Sequence, residues 1–100
     1  MASYKLSHAA KADLQRIYSY GYHIFGEHAA DVYFYQFFEA FERIAQNPLS
    51  YPTVSHIRQG YRRSVCGVDS IYYRINESGE NSFSVEIMAI LGGHDLDTWL

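Results

Sequence analysis

The stretch from Gly60 to Ile75 constrains this chain more than any other. Apolar and polar residues alternate in two arms, Tyr61–Cys66 and Ser70–Ile75, and Gly67 with Asp69 supplies a turn between them. That pattern predicts a β-hairpin. Three of the chain's six arginines, Arg62, Arg63 and Arg74, lie in it against one carboxylate, Asp69. Arg62 and Arg63 are neighbours on a strand, so they point to opposite faces, and only one can face a ligand. A basic side above an aromatic core strand makes this hairpin the centre of the domain.

Taken in order, Ser3–Leu6 alternates and predicts a short first strand, and Ser7 stands where an N-cap belongs. Ala10, Leu14, Ile17, Gly21, Ile24 and Phe25 then recur at helical spacing, flanked by Tyr18 and Tyr22. Gly21 lets a neighbouring element come close, and Gly26 ends the helix. A linker of about two or three residues leads to a second helix, so the two form an antiparallel hairpin. Its buried stripe is Ala30, Phe34, Phe37, Phe38, Phe41, Ile44 and Ala45, and it stops at Asn47-Pro48. Tyr33 and Tyr35 fall outside that stripe and are candidates for an exposed aromatic surface.

Residues 47–59 hold both prolines and predict a loop. After the hairpin comes a polar turn over Asn76–Asn81, then an apolar run from Phe83 to Leu91 that suggests a central strand. Gly92-Gly93 breaks it, leaving a short tail to Leu100. The order β-α-α-β-β-β implies an α+β fold, with the helical hairpin packed on one face of a small, mainly antiparallel sheet.

One hundred residues make a single domain spanning 1–100, and 48% hydrophobic content is ample for its core. Ten tyrosines are too many to bury with satisfied hydroxyls, so some lie at the surface, as a contact patch or as plain amphipathic filler. The single cysteine, Cys66, excludes an internal disulfide and a cysteine-based metal cluster. No signal peptide and no membrane span is legible, which places the chain in the cytoplasm. Net charge is −3, yet residues 47–68 carry Arg58, Arg62 and Arg63 and no carboxylate. A basic patch on an acidic body favours a specific protein contact over general polyanion binding.

No phosphate loop, nucleophile elbow or zinc-binding histidine pair is present, and no cofactor or metal is expected. His8, His23, His28 and His56 read as surface or cap residues. His94 follows the core strand, near the sheet end where Arg62, Arg63 and Arg74 project. A histidine beside arginines that stabilise a phosphorane-like charge is a minimal ribonuclease constellation. The alternative is that His94 caps the strand and pairs with Asp95 or Asp97. For any one of Arg62, Arg63 and Arg74 a structural role is favoured over catalysis, stacked on tyrosine and paired to Glu86 across the strands.

Tyr4-Lys5-Leu6-Ser7, Ala10-Lys11-Ala12-Asp13-Leu14, Gly60-Tyr61-Arg62-Arg63, Ile71-Tyr72-Tyr73-Arg74-Ile75 and Val85–Leu91 occur in that order. This co-linear set resembles the ParE/RelE superfamily of type II toxins, over essentially the whole chain. The long helical hairpin is closer to ParE, many of whose members inhibit DNA gyrase. RelE-like members cleave mRNA on the ribosome. Their lysine-rich loop has no counterpart here, since residues 47–60 hold only Arg58. The resemblance implies a toxin neutralised by a cognate antitoxin that folds as it binds, and growth arrest through gyrase without catalytic residues. It implies no membrane partner and no sequence-specific DNA binding by the toxin itself. On that reading Arg58, Arg62, Arg63, His94 and Trp99 are the target-binding candidates. Tyr18, Tyr22, Tyr33, Tyr35 and Arg74 are the antitoxin-binding candidates. The alternatives are a ribosome-dependent endoribonuclease using Arg63, Arg74 and His94, and a degenerate toxin that only binds antitoxin.

Overall fold

The computed structural model describes residues 3–76 and 84–92. Ser7 caps the first helix, α1 (His8–Phe25): its Oγ accepts the Ala10 N–H at 3.0 Å, satisfying one of the amides that a helix start leaves unpaired. Gly26, at φ 92°, ends α1 and donates its N–H to the Tyr22 carbonyl. The second helix, α2 (Glu27–Gln46), begins at the next residue. The expected linker of two or three residues is therefore one glycine, whose positive φ makes so abrupt a reversal accessible. Tyr18 meets Asp31 and Phe34 while Gly21 meets Ala30, so the helices run antiparallel. A Cβ at Gly21 would sit 3.7 Å from that of Ala30, which is the close approach the glycine predicted.

Ala30, Phe37, Ala40, Phe41, Ile44 and Ala45 are the buried residues of α2, with Phe34 and Phe38 half-buried. The stripe on α1 is buried only in its first half, at Ala10 and Leu14. Ile24 and Phe25 are 57% and 71% exposed, because the sheet does not reach that end of the hairpin.

The strands are β1 (Tyr4–Leu6), β2 (Tyr61–Cys66), β3 (Asp69–Ile75) and β4 (Val85–Gly92), in the spatial order β1-β4-β3-β2. β1 is parallel to β4 and the other pairs are antiparallel. β4 is central, as its apolar run indicated. It begins at Val85, Phe83 lies outside the described residues, and Gly92 pairs with Asp69 rather than breaking the strand. The hairpin turn is Gly67-Val68, with Gly67 at φ 59°. Asp69, expected in the turn, is buried as the first residue of β3.

A bulge between Tyr72 and Tyr73 shifts the β3–β4 register. Strict alternation would put Ile87 and Ile90 on opposite faces. The inserted residue lets both join Val85, Ile71 and Tyr73 against Phe37, Phe41 and Ile44. The outer face carries a smaller cluster, Tyr72, Ala89 and Leu91, covered by Val54 and Ile57 of the segment between α2 and β2. That strap contains a 3-10 turn, Pro48–Ser50, and adds a single rung to β2, with Thr53 opposite Arg62.

β1 is only three residues long, so most of the edge of β4 must be satisfied otherwise. The start of α1 does this. Ser7 donates its N–H to the Ile87 carbonyl and its hydroxyl to the Met88 carbonyl, both at 3.0 Å. Asp13 accepts the Ile90 N–H at 2.9 Å, and Arg16 donates to the Ile90 carbonyl at 3.1 Å. Arg16 and Asp13 also lie 3.6 Å apart, which couples the two contacts. Asp13→Ala strands a buried backbone donor and is expected to cost about 1–3 kcal/mol. The check is thermal unfolding, in which Asp13→Asn, retaining an acceptor oxygen, loses less than Asp13→Ala.

Candidate functional site

The register divides the arginines. Arg63 lies opposite Tyr72 and Arg74 opposite Tyr61, so these four share the outer face, while Arg62 opposes Tyr73 on the other. Arg62 donates Nη1 to the Tyr51 carbonyl at 2.6 Å, and the Tyr73 hydroxyl donates to the Pro48 carbonyl at 2.6 Å. Both bonds pin the strap to β2 and β3. Arg74 donates Nε and Nη2 to Glu86 Oε1 at 3.1 and 2.8 Å, the cross-strand pair anticipated from the sequence. The hydrogen bond that Arg74 donates to Glu86 raises the Arg74 pKa, and with half of Arg74 in water the pair adds little stability. Arg58 is exposed on the strap. His94 and Trp99 lie outside the described residues. Of the ribonuclease trio, then, Arg63 and Arg74 share a face. Where β1 and β4 begin and β3 ends, Lys5, Tyr61, Arg62, Arg74, Asn76 and Glu86 line a cavity of about 710 Å³.

A second, apolar recess of about 550 Å³ runs between α1, α2 and the β2–β3 turn. Ile17, Gly21 and Phe34 form part of its lining, and Tyr20, Phe25 and Val68 contribute at 65%, 71% and 88% exposure. Tyr20, Phe25 and Val68 were not among the sequence candidates. The available signal was the second half of α1, where Ile17, Tyr20, Gly21, Ile24 and Phe25 outnumber what one buried face needs.

The tyrosine candidates separate. Tyr22 and Tyr35 are exposed, at 45% and 67%. Tyr18 is half-buried, donates to Asp31 Oδ1 at 2.7 Å and stacks edge-on against Phe34 at 5.4 Å. Tyr33, expected at the surface, turns inward instead. Its hydroxyl lies 2.8 Å from Asp69 Oδ2 and 2.9 Å from the Cys66 carbonyl oxygen, sharing one proton between two acceptors. It thereby clasps the β2–β3 turn to α2 and lines the apolar recess. The fit requires glycine at 67, since a Cβ there would lie 2.5 Å from the Tyr33 ring. Gly67→Ala is expected to cost at least the ~1–2 kcal/mol of a left-handed backbone. Tyr33→Leu in the same chain should recover part of that loss in denaturant titrations.

The hydrogen bond to Asp31 pushes the Tyr18 pKa up to about 12, and burial does the same for Tyr73. Burial and Asp69 raise Tyr33 further. A folded-state pKa above the unfolded value of about 10 gives a contribution that is complete below pH ~10 and lost as pH climbs through the folded value. Melting temperature is therefore expected to fall between pH ~10 and ~12. Tyr18→Phe should flatten that fall; parallel profiles for the two proteins would contradict the assignment.

The family model described as ParE toxin of type II toxin-antitoxin system, parDE, matches residues 4–96. The chain is 33% identical over 91 residues to Toxin ParE1 of Caulobacter vibrioides, covering 91% of this chain and 88% of that one. It is 31% identical over 88 residues to Toxin ParE1 of Mycobacterium tuberculosis (strain CDC 1551 / Oshkosh), covering 88% and 86%. A solved structure described as a chromosomal ParDE TA system from P. aeruginosa shares the fold, with TM-score 0.74, 20% identity and coverage of 92% and 96%. With the β-α-α-β-β-β order and the helical hairpin on one sheet face, these matches show that the chain belongs to the ParE toxin family of type II toxin–antitoxin systems.

Proposed function

We propose that this toxin is silenced by direct binding of a cognate antitoxin and that, when free, it arrests growth by binding DNA gyrase in the cytoplasm. The observation that carries the first half is the apolar recess beside α1 and α2, rimmed by Tyr20, Phe25 and Val68. An exposed apolar surface of this kind suits the nonpolar face of an amphipathic segment that orders as it binds. Tyr22 and Tyr35 offer further exposed aromatic contacts on the same two helices, and Tyr18 and Tyr33 line the recess itself. The structural relative's description as a ParDE TA system supports an antitoxin as the occupant. No described helix is long and apolar enough to cross a membrane.

The second half rests on what the basic residues are doing. Arg62 is engaged with Tyr51 and Arg74 with Glu86, both in structural bonds, and Val54 and Ile57 cover part of the outer face. Such a surface suits contact with a protein better than the cradling of RNA. Arg58 and Arg63, with the tail residues His94 and Trp99, are the proposed target contacts. One observation favours the alternative of a ribosome-dependent endoribonuclease: Arg63 and Arg74 share a face.

Brief induction of the toxin alone, with plasmid supercoiling and total mRNA read from one culture, separates the two. Altered supercoiling or trapped cleaved DNA, with intact mRNA and an induced DNA-damage response, is the expected result. Fragmented mRNA with normal supercoiling, abolished by Arg63→Ala and by His94→Ala, would replace gyrase with the ribosome. Co-expression of the antitoxin should restore growth.

A further inference from the structure

Asp69 is 8% exposed, yet only one of its two oxygens is satisfied. Oδ2 accepts the Tyr33 hydroxyl at 2.8 Å, while Oδ1 has no hydrogen-bond or ion-pair partner among the described residues. No side-chain oxygen of those residues is both fully buried and unpartnered, so Oδ1 keeps contact with solvent. Asp69 lines the apolar recess between α1, α2 and the β2–β3 turn, together with Gly21, Tyr33, Phe34, Phe37 and Gly67. Arg16 is the one cation among the described lining residues, and it is already held by the Ile90 carbonyl at 3.1 Å and by Asp13 at 3.6 Å. A carboxylate withdrawn this far from water loses hydration that one hydroxyl does not replace. The fold nevertheless keeps it in place: Tyr33 fixes Oδ2, and pairing with Cys66 and Gly92 fixes the backbone on both sides. Desolvation of this carboxylate is thus a cost of folding, and a cation entering the recess gains the pairing without incurring that cost again.

We infer that the recess receives a lysine side chain of the protein partner, its stem along the apolar walls and its ammonium at Asp69 Oδ1. Lysine joins an apolar four-carbon stem to one compact charge. The recess offers the complement, with aromatic and small apolar residues along its sides and one carboxylate oxygen open to a donor. Arginine suits it less, because a guanidinium fork seeks two carboxylate oxygens and Oδ2 is engaged with Tyr33. A purely apolar occupant would seal Oδ1 from water without a partner, and an acidic one would add repulsion. The volume of about 550 Å³ leaves room for apolar side chains beside the lysine in the same segment. The inference rests on the reading that an antitoxin segment occupies this recess, and it specifies one side chain of that segment.

The test is an amide chemical-shift titration of the isotope-labelled chain, made by cell-free synthesis, with three probes: hexylammonium, hexanol and hexylguanidinium. Saturable shifts at Gly21, Tyr33, Gly67 and Asp69 are expected, with hexylammonium bound about tenfold more tightly than hexanol. Asp69→Asn keeps an oxygen to accept the Tyr33 hydroxyl. It should bring hexylammonium down to the affinity of hexanol and leave hexanol itself unchanged. Equal binding of hexylammonium and hexanol by the unaltered chain, or no saturable shift from any probe, would overturn the inference, and neither readout needs the variant to fold. Tighter binding of hexylguanidinium than of hexylammonium would overturn lysine as the side chain. Antitoxin rescue of growth is read separately. A toxin that is still silenced but does not prefer the ammonium loses only this inference, whereas one that its antitoxin cannot silence loses the reading beneath it.

Discussion

The central strand β4 cannot be left with a bare edge, and much of the architecture follows from how that edge is satisfied. β1 covers it only from Val85 to Ile87. Beyond that point the backbone of Met88 and Ile90 is met by the side chains of Ser7, Asp13 and Arg16. A helix thereby does the work of a strand, at the same place where its Ala10 and Leu14 enter the core. Hydrogen bonding and apolar burial thus place α1 in the same position. Because Gly26 alone joins the helices, fixing α1 also fixes α2.

With the helices committed to one face, the other face is free for different work. The strap seats Val54 and Ile57 on Tyr72, Ala89 and Leu91, and it is held by backbone bonds from Val54 to Tyr61 and from Arg63 to Pro52. Those bonds also close the first half of β2's edge against other strands. The arginines are then sorted by the pleat, Arg62 toward the strap's base and Arg63 and Arg74 outward. The apolar recess and the basic cavity lie at different ends of the fold.

Local signals hold where a single residue's own chemistry decides the outcome. Ser7 caps α1, Gly21 admits Ala30, Gly26 ends the helix and the Arg74–Glu86 pair forms. They do not hold where two or more distant segments compete for a group. Asp69 looks like a turn residue, yet the Tyr33 hydroxyl draws it into the interior. Tyr33 looks like a surface residue for the same reason seen from the other side. Ile24 and Phe25 continue the helical stripe perfectly well, and only the reach of the sheet shows that nothing of the described chain covers them.

What the sequence determined by itself was the order of elements, their caps and the β-α-α-β-β-β class. These follow from periodicity, glycine and proline positions, and side-chain preferences that act within a few residues. The tertiary structure alone decided the bulge that brings Ile87 and Ile90 to one face, the clamp of Asp13 and Arg16 on β4, the inward turn of Tyr33, and the division of the arginines between two environments. Each depends on a contact between residues far apart in the chain. Which partner wins such a contact is set by the packing of whole elements, which no local pattern encodes.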